Sequence, residues 1–285
     1  MSALDPEVRA VSALQRTVID AEDRWKLGNL AELRGYWDLL RFLTWRHVRV
    51  RYAQSALGIG WAVVQPLASV LVFTLVFGKM AGVSSDGSPY ALFAFVAILP
   101  WNYFSGAVTD GAASLVTQAA LVRKIYFPRI ILPVSVILAK LVDFVIGAFL
   151  LMLVLFWKGY APSAEVWCLP LLVLLMIITS AGLAVWLTAL AVQYRDVNHA
   201  SGFMVQLLMY AAPVVYPTTL VPEGLRLLYA LNPLVGIIEG FRAVLLGVGG
   251  VPWGYLAVGT VSAVTLFVTG TLYFHRREHL FSDVA

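Results

Sequence analysis

Two stretches of this chain are almost free of charge over lengths that cross a lipid bilayer. Tyr90 to Leu121 holds one charged residue, Asp110, and Ile130 to Trp157 holds two, Lys140 and Asp143. Runs of about 20 apolar residues form helices in lipid, where the backbone must satisfy its own hydrogen bonds. The chain is 60% hydrophobic and 13% charged, against about 25% charged for a soluble domain. These values describe a polytopic membrane protein.

Six spans are expected, at Trp61–Gly78, Tyr90–Thr109, Pro133–Trp157, Leu169–Val192, Gly202–Pro217 and Trp253–Phe274. The second can extend past Asp110 to Ala120, and the fifth is short. With six spans both termini share a side. Fifteen Lys and Arg then fall on that side and four on the other, which places both termini in the cytoplasm by the positive-inside rule. No cleavable apolar leader is visible near Met1.

The chain divides into a polar extension (1–35), a basic aromatic segment (36–60), a span region (61–274) and a cytoplasmic tail (275–285). In the second segment Tyr36, Leu39, Leu40, Leu43 and Val50 share one helical face, with Asp38, Arg41 and Arg49 opposite. Such a helix lies along the inner leaflet with its arginines at phosphate level; packing on other cytoplasmic protein is the alternative. Between the fifth and sixth spans, Pro222–Tyr229 and Leu234–Leu246 read as two short helices broken at Asn232-Pro233. A re-entrant hairpin from the outer face is the preferred reading, and a surface cap the other. The expected fold is therefore an all-α polytopic membrane protein: six transmembrane helices, an N-terminal amphipathic interfacial helix and an outer re-entrant helical hairpin.

Catalytic and metal-binding patterns are missing. No HExxH, GxSxG or Cys/His ligand spacing occurs, and the single cysteine, Cys168, sits in an apolar run. The phosphate-binding pattern GxxxxGK[ST] is absent too, so any ATP and Mg would be held by a separate polypeptide and no cofactor by this chain. The modest net charge of +4 does not call for nucleic acid. Lys140 and Asp143, at i,i+3, are expected to pair with each other, as are Glu239 and Arg242. Trp101, Tyr103 and Phe104 offer flat faces on which sugar rings could slide; packing or interface anchoring is the other reading. Between the two charge-free runs, Arg123, Lys124, Tyr126, Phe127, Pro128 and Arg129 make a compact basic-aromatic island suited to a partner's grip.

The ordered set Arg49-Val50-Arg51-Tyr52 with Leu57-Gly58 and Trp61, then Gln65-Pro66, Leu99-Pro100-Trp101, Lys124-Ile125-Tyr126-Phe127-Pro128-Arg129 and Leu141-Val142-Asp143-Phe144, continues downstream. Tyr194-Arg195-Asp196-Val197, Pro213-Val214-Val215-Tyr216-Pro217, Asn232-Pro233-Leu234 and Glu239-Gly240-Phe241-Arg242 complete it. Across residues 36–274 this set resembles the permease subunit of type 2 ABC exporters, in the branch that exports O-antigen, teichoic acid and capsule. The resemblance implies an inner-membrane homodimer with two copies of an ABC ATPase, which would carry ATP and Mg. The island would be the ATPase-coupling element. Tyr229, Asn232, Pro233, Glu239 and Arg242 would belong to an outer gate. The cargo would be an undecaprenyl-diphosphate-linked glycan, with Arg46, Arg49 and Arg51 meeting its diphosphate among membrane lipids. Teichoic acid, capsule, small drugs or lipids remain alternative cargoes, and a polyprenyl-phosphate membrane enzyme is the rival class.

Overall fold

A computed structural model describes residues 34–53, 57–194 and 196–278. Nearly all of the expected 1–35 extension and residues 279–285 of the expected tail lie outside them. Helix α1 (Trp37–Tyr52) is followed by α2 (Trp61–Phe73), which runs on as a wider π-turn over Thr74–Met80. Next come α3 (Tyr90–Thr117), the short α4 (Ala119–Lys124), α5 (Ile131–Trp157) and α6 (Leu169–Gln193). Helices α7 (Asp196–Tyr210), α8 (Glu223–Tyr229), α9 (Pro233–Leu246) and α10 (Trp253–Arg277) complete the order. No strand occurs among the described residues.

Helix α3 is the central post. It packs against α2, α5, α6, α7 and α9, and is the most buried of the long helices. At 28 residues it is about 42 Å long, more than the roughly 30 Å of hydrocarbon. Asp110 is therefore inside the helix, which ends at Thr117, close to the longer of its expected limits. The α6–α10 contact depends on two glycines. A Cβ on Gly182 would meet the backbone N of Phe267 at 2.7 Å, and one on Gly270 would meet the carbonyl O of Gly182 at 2.6 Å. Small residues bring the two backbones together where lipid supplies no hydrophobic drive.

Among the described residues, five helices are long and apolar enough to cross a membrane, or up to six with the bent α8–α9 pair as one. The expected fifth span differs in register and length. Its helix starts at Asp196, ends at Tyr210 and has 15 residues, or about 22 Å. The chain then turns through Ala211–Tyr216, a stretch with Pro213 and, just after it, Pro217, which cannot donate helical hydrogen bonds.

Helices α8 and α9 meet at 107°. Asn232 makes the corner: its Oδ1 accepts from the Leu234 N–H at 3.1 Å, and its Nδ2 donates to the Ala211 carbonyl at 2.9 Å. Pro233 opens α9, and Gly247, at φ 67°, closes it. Helix α9 is buried against α3, α6 and α10 while α8 exposes Leu225, Leu227 and Leu228. The two expected arms are present, with one covered by protein.

Candidate functional site

One end of the molecule is organised by α1. Leu40 and Leu43 of α1 share an apolar cluster with Leu115 of α3, Ile131 and Leu132 of α5, and Phe274 of α10. Tyr36 and Leu39 pack at its edge, as their helical face predicts, whereas Val50 points outward with Trp37, Phe42 and Trp45. An outward apolar-aromatic face and inward leucines suit a helix held between protein and lipid.

The C-terminal turn of α1 carries charge into the span region. The Arg51 guanidinium donates to both Asp143 and Asp110, at 3.2 Å to the latter. Lys140 Nζ lies 2.6 Å from Asp110 Oδ2, and the Tyr52 hydroxyl donates to Asp143. Burial, then its bond to Asp143, raises the Tyr52 pKa and keeps that hydroxyl a donor. The expected Lys140–Asp143 pair is thus replaced by pairs between helices. The reason is steric: Lys140 lies across Gly106, where a Cβ would come within 2.8 Å of its Nζ, and so reaches Asp110 on α3. Asp143 is left to α1. Two carboxylates and two cations close a neutral network in which no partly buried charge lacks its counter-ion.

One turn earlier, Arg46 Nη1 lies 3.4 Å from Gln118 Oε1, and Gln118 Nε2 lies 3.2 Å from His47 Nε2. Gln118 is buried where α3 breaks into α4. Burial, reinforced by the Arg46 and Arg51 charges, lowers the His47 pKa below 6.5; the neutral ring accepts from the glutamine amide. Between α1, α3 and α5 lies a cavity of about 220 Å³, with His47, Arg51, Asp110, Ser114 and Thr117 on its polar side.

The basic island is part helix and part extended chain. Arg123 and Lys124 end α4; Arg123, Lys124, Ile125 and Tyr126 are exposed, Tyr126 at 65%. Phe127 is 4% exposed and sits in the α1 cluster, unlike its exposed neighbours in the island. An aromatic ring beside Leu40 and Leu43 is held by packing, so the exposed grip narrows to its neighbours. Pro128 and Arg129 are half-buried. The Arg129 N–H donates to Glu278 Oε1 at 3.2 Å and its guanidinium donates to the Glu278 carbonyl, tying the island to the end of α10.

At the opposite end Arg242 is 2% exposed. It bonds Glu239 at 3.0 Å as expected, donates to the Val214 carbonyl at 3.2 Å, and stacks 3.4 Å over the Phe93 ring. Glu239 also accepts from the Thr218 N–H at 3.2 Å. The pair therefore pins the turn after α7 onto α9. The Tyr229 hydroxyl lies 3.0 Å from that of Tyr216, and with Asn232 and Pro233 at the corner, the predicted outer residues share one region.

The family described as ABC-2 type transporter matches residues 38–246, from α1 to the end of α9. The chain belongs to the ABC-2 type transporter family. Among its relatives, the O-antigen export system permease protein RfbA of Myxococcus xanthus is 31% identical over 257 residues, covering 89% of this chain and 98% of the relative. RfbA of Klebsiella pneumoniae is 26% identical over 252 residues (88% and 96%). The polysialic acid transport protein KpsM of Escherichia coli is 25% identical over 246 residues (84% and 93%).

In this ABC-2 protein Trp101, Tyr103 and Phe104 are buried within the chain. Trp101 packs on Phe104 at 5.7 Å between ring centroids, and Tyr103 on Phe144 at 5.9 Å. These contacts are those of the packing alternative, each ring being held by a neighbour of its own chain. Asn102 between them is exposed. Sequence reasoning missed Tyr52, Ser114 and Gln118. Asp110, the one charge in its stretch, was the available signal for the network.

Proposed function

We propose that this ABC-2 family chain is the permease subunit of an ATP-driven exporter that carries a lipid-linked polysaccharide across the cytoplasmic membrane. It works as a homodimer with two copies of a separate ATPase, which bind ATP and Mg. Near-complete coverage of polysaccharide-export permeases, at up to 31% identity, carries this reading. The absence of a phosphate-binding loop fits it, since such a permease takes its energy from a partner.

Arg123, Lys124, Ile125 and Tyr126 offer the exposed contact for that ATPase. Phe127 passes displacement into the cluster shared with α1, α5 and α10. The lipid-linked cargo approaches from the inner leaflet beside α1. Arg46 and Arg49, both exposed, meet its diphosphate, because guanidinium forks pair with phosphate oxygens. Arg51 is committed to Asp143 and Asp110 and holds α1 in place. At the outer surface the α8–α9 pair is the gate, with Glu239 and Arg242 fixing its buried arm. The KpsM likeness favours a second cargo, an acidic capsule-type glycan.

Deletion of the gene, followed by a surface polysaccharide profile and measurement of lipid-linked glycan inside the cell, tests the reading. Loss of the surface polymer with internal accumulation is expected. Unchanged polysaccharide on both sides removes the glycan assignment.

A further inference from the structure

Helix α3 changes character half-way along one face. Phe95, Ile98 and Leu99 lie on that face on the side of Phe93, where Arg242 stacks, and all are buried. From the next turn on, the same face carries Asn102, Ser105, Thr109, Asp110, Ala113 and Thr117, at helical spacing. None of them is buried, and Asn102, Asp110 and Thr117 are exposed, on the helix that is otherwise the most buried of the long ones. The stretch from Asn102 to Thr117 covers about 22 Å, and Asn102 is close to the middle of the 28 residues.

Acyl chains are a poor cover for this face. The Asn102 amide has no hydrogen-bond partner among the described residues, and in hydrocarbon such a group is costly. Two cations meet Asp110 at Oδ2, so Oδ1 has no partner among the described residues, although the side chain is 51% exposed. A carboxylate oxygen so placed in a span calls for water, and a dry contact with another copy would strand it. Asp110, Ala113 and Thr117 also border the cavity under α1, so the polar face leads away from that cavity. Beyond Asn102 it is shut. Leu99 packs into the notch at Gly147 of α5, where a Cβ would stand 2.6 Å from Leu99 Cδ1. We infer that this face of α3 is the wall of a water-filled entry path that runs from the α1 end to mid-span and stops at Leu99. Water and sugar hydroxyls are interchangeable hydrogen-bond partners for an amide, so the same wall takes the glycan once the Leu99–Gly147 contact opens. That last step rests on the polysaccharide-export reading above; the wetting of the wall does not.

The test uses the complete permease–ATPase complex in sealed membranes and a charged, membrane-impermeant methanethiosulfonate, which reacts with the thiolate and so needs water at the site. Cys168 is buried, and wild type sets the background. Asn102→Cys, Ser105→Cys and Thr109→Cys should each react about tenfold faster than Val145→Cys, an exposed apolar site at the middle of α5. Three positions keep the answer independent of any one variant's assembly. Inverted vesicles and spheroplasts offer the reagent to opposite faces. Asn102→Cys should be reached only from the face that labels Arg276→Cys, near the end of α10 that joins the α1 cluster. Rates at the α3 positions no faster than at Val145→Cys overturn the inference. So does spontaneous disulfide linkage of two copies through Asn102→Cys in place of labelling, because the face is then a dry contact. Labelling of Asn102→Cys from both faces overturns the closure at Leu99. Each of these results leaves the glycan reading standing, and failure of that reading in the gene deletion leaves the water path standing.

Discussion

At Asp110 two cations from different helices converge on one carboxylate oxygen, which sets the partner of every other charge nearby. A double-mutant cycle on Lys140 and Asp110, read by thermal unfolding of the purified complex, should give a coupling of about 1–2 kcal/mol, reduced from buried-pair values because Asp110 is half open. The same cycle on Lys140 and Asp143 should give a smaller coupling than the Lys140–Asp110 one, because the two meet only through Asp110 and Arg51, despite their i,i+3 spacing. That spacing is visible in sequence, but the choice of partner is not. It depends on Gly106 leaving room for Lys140 to cross onto α3. His47 gives a pH dependence with a definite sign. Its docked pKa is depressed, so the unfolded imidazole takes a proton near 6.5 while the docked ring resists. Stability is full above about pH 6.5 and falls as pH drops below it toward the docked value. Protection factors of the α1 amides, with exchange rates corrected for the pH dependence of intrinsic exchange, should fall as pH drops below about 6.5, and His47→Gln should flatten the change.

The elements differ in how openly the sequence declares them. Helices α3, α5, α6 and α10 follow from apolar length alone. Helix α7 does not, because the apolar run from Gly202 continues through Ala211–Pro217 although the backbone turns there. Hydropathy registers what a segment is made of and passes over Pro213 and Pro217. The island shows the same limit: Tyr126 and Phe127 are both aromatic neighbours in sequence, yet one is exposed and the other packed on α1. Tyr126→Ala should leave the melting temperature unchanged and uncouple ATP hydrolysis from export. Phe127→Ala should lower the melting temperature, with a cost of about 3 kcal/mol for an emptied aromatic site. Gly182→Val should prevent α6 and α10 from closing, since the opposing atoms are backbone, and is expected to abolish folded yield.

For the whole molecule, the order of spans and the bias of basic residues are legible in the amino-acid sequence, and they set a test of topology. Reporter fusions after residues 129 and 277 should report the cytoplasm, and a fusion after residue 226 the outer side. A cytoplasmic signal at 226 would show that the stretch from α7 to α8 does not cross. The pairing within the clusters around α1 and α9 is less legible. Arg51 and Asp143 are 92 residues apart in the chain, and no local pattern joins them.

That distance also bears on how the protein is made. When α1 leaves the ribosome, Asp143, Phe127 and Phe274 have not yet been translated. At about 5–20 residues per second, Asp143 follows Arg51 by roughly 5–20 s. During that interval α1 has no protein to dock on. Its outward Trp37, Phe42 and Trp45 would suit a helix waiting at a bilayer surface until its protein partners are made.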